Sequence, residues 1–72
     1  MSEKIRTEAA ARFGRALRAA RDRRGLTQHQ LEESAGISRT AIARYEAGKR
    51  CPSLAEALVL AQRLGFSLDD MA

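Results

Sequence analysis

Leu26–Gly48 reads LTQHQLEESAGISRTAIARYEAG, and its punctuation decides the fold. With Gly25 in front, the chain repeats one pattern: glycine, a large apolar residue, then a hydroxyl residue. It occurs at Gly25-Leu26-Thr27, Gly36-Ile37-Ser38 and Gly65-Phe66-Ser67. A glycine takes the left-handed conformation that ends a helix. The Thr or Ser after it accepts a backbone N–H from the first turn of the next helix. Beyond these caps stand Leu31, Ile42 and Met71, spaced to pack back on Leu26, Ile37 and Phe66 as hydrophobic staples. Thr27 with Gln30, Ser53 with Glu56, and Ser67 with Asp70 add capping-box or near-box spacings.

Working outward, the pattern predicts an all-α, compact five-helix domain, with residues 1–72 forming a single unit. Helix 1 is expected from Glu3 or Ile5 to Arg24, with Ile5, Ala9, Phe13, Leu17 and Ala20 as its inward stripe. Gly14 lies inside that helix and speaks mildly against it. Helix 2 is expected over Gln28–Ala35, helix 3 over Arg39–Ala47, helix 4 over Leu54–Leu64 and helix 5 over Leu68–Met71. Pro52 separates helices 3 and 4.

Helix 3 can be turned residue by residue at about 100° per step. Ile42, Tyr45 and the cap Ser38 fall together and are expected to face the core. Thr40, Ala43, Arg44 and Ala47 then point away, with Arg39 at the edge of that face. Small alanines let such a helix approach a partner closely. Arginine can fork onto guanine O6 and N7, and threonine can bond a base or phosphate and touch a thymine methyl. Two short helices joined at Ala35-Gly36-Ile37 are the layout of a helix-turn-helix, which places its second helix in the major groove. Arg39, Thr40, Ala43 and Arg44 are therefore the candidate base-reading positions. Lys49 and Arg50 lie past the helix 3 C-terminus, where a cation suits the helix dipole and can hold a phosphate. Thr27 and Gln28 sit at the helix 2 N-terminus, a second anion site.

Charge and cysteine content narrow the classes. The chain has 72 residues and a net charge of +4. Residues 1–25 carry +5, residues 26–50 carry +1 and residues 51–72 carry −2. A basic front and an acidic tail fit a polyanionic partner at one end, although an arginine-rich helix face is equally often just a solvated one. Cys51 is the only cysteine, which rules out a disulfide framework within the chain and suits a reducing compartment. No apolar run approaches the roughly 20 residues of a membrane span, and Met1–Thr7 does not read as a signal peptide. A cytoplasmic protein is expected. A chain of this size buries only roughly 60% of its unfolded surface, so a partner subunit is a natural support.

The chain resembles the phage-repressor type of helix-turn-helix family, the lambda- and Cro-like (XRE) regulators. The carrying residues are Leu26-Thr27-Gln28, Leu31, Ala35-Gly36-Ile37-Ser38, Ile42, Tyr45-Glu46, Gly48-Lys49, Pro52-Ser53-Leu54 and Leu64-Gly65-Phe66-Ser67-Leu68-Asp69. The resemblance implies a lambda-repressor-like fold with the helix-turn-helix at helices 2 and 3. It also implies that Gln28 clamps a phosphate, that Arg39, Thr40 and Arg44 occupy base-reading positions, and that Arg21 bridges to Glu46. We read the Arg21–Glu46 pair as a structural brace for the recognition helix. Two departures stand out. Glu32 occupies a position that is usually small, which requires either that its stem turns outward or that the two helices sit wider. Val59 replaces a usual polar residue and would add to an apolar patch near Phe66 and Met71.

The expected partner is double-stranded DNA, bound by a homodimer joined through Val59, Phe66, Leu68 and Met71. The opposing reading is that these residues merely cap the monomer core. An antitoxin-like protein that binds a toxin, or another protein partner such as RNA polymerase, is the reading from a different class. An enzyme is not expected, since one histidine, one cysteine and no phosphate-cradling glycine loop leave no catalytic set. No cofactor or metal is expected: His29 has no second ligand at suitable spacing, and the Asp69-Asp70 pair reads as first-turn acids of helix 5.

Overall fold

The computed structural model describes residues 2–68. Their helices are α1 (Glu3–Arg23), α2 (Gln28–Ala35), α3 (Arg39–Glu46) and α4 (Leu54–Leu64). Each starts on a hydroxyl cap. Ser2, Thr27, Ser38 and Ser53 accept the backbone N–H groups of Ile5, Gln30, Ala41 and Glu56 respectively. At Thr27 and Ser53 the capping box closes in both directions, because Gln30 and Glu56 accept the cap N–H groups in return. The turn between α2 and α3 rests on Gly36, whose φ of 73° is left-handed. A side chain there would cost about 1 kcal/mol in backbone strain. The fifth helix, expected at Leu68–Met71, lies past Leu68 outside the described residues, as do Met71 and the Ser67–Asp70 box.

The core is built where α1 and α2 each pack against both α3 and α4. Leu17 and Ala20 of α1, Leu31 of α2, Ile42 and Tyr45 of α3 and Leu60 of α4 have no exposed surface. Tyr45 meets Phe13 edge to face, with ring centroids 6.5 Å apart, and Phe66 closes the other side of Phe13 at 6.1 Å. Leu26, Val59, Phe66 and Leu68 are partly buried and pack against this cluster. Deleting the buried part of Leu60 or Ile42 would cost about 2–5 kcal/mol.

The α1–α3 crossing explains a residue that looked out of place. A Cβ on Gly14 would lie 2.2 Å from the Tyr45 carbonyl oxygen and 3.0 Å from that of Glu46. The C-terminal turn of α3 therefore presses directly on the backbone of α1, and only glycine permits it. The expected inward stripe of α1 is corrected accordingly. Its buried residues are Ala10, Phe13, Gly14, Leu17 and Ala20. Ile5 is 55% exposed and Ala9 is exposed, because the first turns of α1 run past the helices that cover the rest. On α3, Ala41 rather than Ser38 joins Ile42 and Tyr45 in the core; Ser38 stays exposed and spends its hydroxyl on the cap. Ala47 is the cap of α3 rather than its last residue.

Candidate nucleic-acid interface

The outward side of α3 is set by what its other side buries. With Ala41, Ile42 and Tyr45 inward, Arg39, Thr40 and Arg44 are exposed, Ala43 is half-buried between them and Ala47 lies open at the end. The face is shallow in its middle and cationic at its edges. Ser38, Arg39 and Thr40 form the start of the helix, where free N–H groups favour an anion.

The other end of α3 is tied down. Arg21 donates from Nε to Glu46 Oε2 at 2.6 Å and from Nη2 to Glu46 Oε1 at 2.9 Å. Its Nη1 donates to the Leu26 carbonyl at 2.7 Å. Gln28 Nε2 adds a further donor to Glu46 Oε1 at 3.1 Å. One carboxylate thus joins the last turn of α1, the first turn of α2 and the last turn of α3. The Arg21 and Glu46 side chains are only 12% and 6% exposed. The hydrogen bonds to Glu46 hold the Arg21 guanidinium's pKa above its ordinary value, against the opposing effect of burial. A forked pair of this kind fixes an angle as well as a distance.

Gln28, the expected phosphate clamp, stands at the start of α2, half-buried and sharing Glu46 with Arg21. One N–H of its amide donates to Glu46, a tie that spacing along the chain does not reveal, and the second remains for another acceptor. Thr27 is exposed; its oxygen accepts the Gln30 N–H, which leaves the hydroxyl proton to donate outward. Lys49 and Arg50 are exposed just beyond α3. Arg50 places its guanidinium carbon 5.6 Å from the Tyr45 ring centroid, a cation–π contact that also escaped the sequence. Tyr45 in turn donates its hydroxyl to Glu56 Oε1 at 2.8 Å. Burial, then this bond, raises the Tyr45 pKa, while the bond chiefly lowers that of Glu56.

Glu32 resolves by turning outward. Its side chain is 36% exposed and its carboxylate lies 3.4 Å from His29 Nδ1, while Glu33 lies 2.9 Å from His29 Nε2. His29 stands exposed between two carboxylates. Among the described residues no group of histidine, cysteine and acidic side chains is arranged to hold a metal ion, and no helix is long and apolar enough to cross a membrane. Val59, Phe66 and Leu68 are partly buried and each packs against the chain's own core. Met71 lies outside the described residues. The more exposed large apolar residues are Ile5, Leu54 and Leu58.

A braced second helix with an open cationic face, entered through a left-handed glycine turn, defines a helix-turn-helix domain of the DNA-binding class. The family model described as Helix-turn-helix matches residues 17–71. The chain belongs to that family, in its XRE/Cro/C1-type branch, whose members are DNA-binding regulators. Neither the curated proteins nor the solved structures contain a match to it.

Proposed function

We propose that the protein is a sequence-specific transcriptional regulator that binds a near-palindromic operator as a homodimer, laying α3 of each subunit in the major groove. The observation that carries this reading is the exposed Arg39, Thr40 and Arg44 face on a helix whose far end is locked by Glu46. Arg44 and Arg39 read base edges, Thr40 adds a hydrogen bond or methyl contact, and Ala43 keeps the middle of the helix low enough to enter the groove. Thr27, Gln28, Lys49 and Arg50 hold the phosphates that set the register. The subunits meet through the outer edges of Val59, Phe66 and Leu68 together with Met71. Two recognition helices about 34 Å apart would then read half-sites one helical turn of DNA apart.

Binding to a labelled duplex of mixed sequence, titrated with salt, combined with a light-scattering mass on and off DNA, tests this. The expected result is affinity that falls steeply with salt and two subunits per duplex. Absence of salt-dependent binding, or a strict monomer on every duplex, contradicts it.

A further inference from the structure

We infer that the cleft between the first turns of α1 and the loop after α3 seats a DNA backbone phosphate, with Arg6 as one of its cations. This rests on the DNA-binding reading above and enlarges its surface to a part of the chain that precedes the family match at residues 17–71. The cleft measures about 100 Å³, and Glu3, Arg6, Thr7, Gly48, Lys49 and Arg50 are among the residues that line it.

The backbone explains why these residues converge. Gly48 has a φ of 71°, which turns the chain sharply after α3. A Cβ on Gly48 would stand 3.3 Å from the Ala11 Cα, so the loop lies directly against α1. That contact carries Lys49 and Arg50 to the flank of the first α1 turns, where Arg6 projects. Arg50 is further steadied over the Tyr45 ring, which reduces the freedom its cation must give up on binding. Arg6 itself is loosely held: its Nη1 lies 4.0 Å from Glu3 Oε2 and both side chains are largely exposed. An exposed pair like this contributes little and can exchange for a phosphate. The cleft opens at the C-terminal end of the recognition helix. A duplex lying along α3 brings its sugar-phosphate backbone past that end. Arg6, Lys49 and Arg50 outnumber Glu3 around this small opening, which favours a single phosphate over a diffuse contact.

Anisotropy titrations with a fluorescein-labelled duplex of mixed sequence test this in the full chain, comparing wild type with Arg6→Ala and with Arg18→Ala. Arg18 is an exposed α1 arginine paired loosely with Asp22 and does not line the cleft. Arg6→Ala is expected to weaken binding at low salt and to make the plot of log K against log salt shallower by about 0.9 per bound subunit. Its thermal unfolding should match wild type, because the side chain is exposed. Arg18→Ala should keep the wild-type slope. A wild-type slope in Arg6→Ala, or an equal loss in Arg18→Ala, overturns the inference while leaving DNA binding intact. If the wild type itself shows no salt-dependent binding, the functional reading falls first and the cleft falls with it.

Discussion

The two sides of α3 treat charge in opposite ways. At the Glu46 end, three donors from two other helices converge on one buried carboxylate. Along the outward side, Arg39 and Arg44 stand in solvent and are drawn into no ion pair among the described residues. Buried polar groups must be satisfied within the fold, whereas exposed ones are left for a ligand to satisfy. The difference separates residues that aim the helix from residues that can read with it. It also changes the reading of Gln28, which belongs to the aiming set by its bond to Glu46 and is proposed for the phosphate set by its place at the start of α2.

The sharpest way to break the comparison is to empty its buried half. Glu46→Ala leaves the Arg21 guanidinium buried without its carboxylate, and should cost about 3–5 kcal/mol in chemical denaturation. If the loss were a few tenths of a kcal/mol, the brace would be no more than a surface pair. Gly14→Ala attacks the same region from the backbone. Its new methyl collides with the Tyr45 carbonyl and should cost about 3 kcal/mol in the same assay, forcing α3 away from α1. An unchanged melting curve would mean that the crossing has slack it does not show.

Tyr45→Phe is the gentler probe of how α3 is held to α4. It removes the bond to Glu56 and should cost about 1 kcal/mol near neutral pH. The sign of its pH dependence follows from Glu56, whose pKa in the fold lies below its ordinary 4.5. Stability from that carboxylate is fully present above 4.5 and is lost as pH falls through the lower folded value. Urea midpoints measured against pH should therefore show a shallower acid limb in Tyr45→Phe than in wild type. Parallel limbs would remove Glu56 from the account.

Much of the fold was legible in the sequence because its instructions are local. The caps at Thr27, Ser38 and Ser53 and the glycine at Gly36 each act within one turn, and α2 and α4 fall where those residues place them. The start of α1 was less legible. Ala9, Ala10 and Ala11 are chemically identical, so the helical period does not say which of them faces inward, and Ile5 looks like core until the other helices prove too short to cover it. Gly14 read as a weakness because the reason for it, the α3 carbonyls, lies far along the chain. At the candidate interface, exposure of Arg39, Thr40 and Arg44 follows from the helical period alone. The attachment of Gln28 to Glu46, the seat of Arg50 on Tyr45 and the sharing of one cleft by Arg6 and Lys49 depend on how the helices pack, which no spacing encodes.

The division between aiming and reading is tested most directly by selecting bound duplexes from a random pool, in parallel for wild type and Arg44→Ala. The wild type should return two inverted half-sites with centres about 10 base pairs apart. Arg44→Ala, with unchanged stability, should lose about 1–3 kcal/mol of affinity and relax preference at one position in each half-site. A wild-type pool without a consensus, or an Arg44→Ala consensus identical to that of the wild type, would contradict the account.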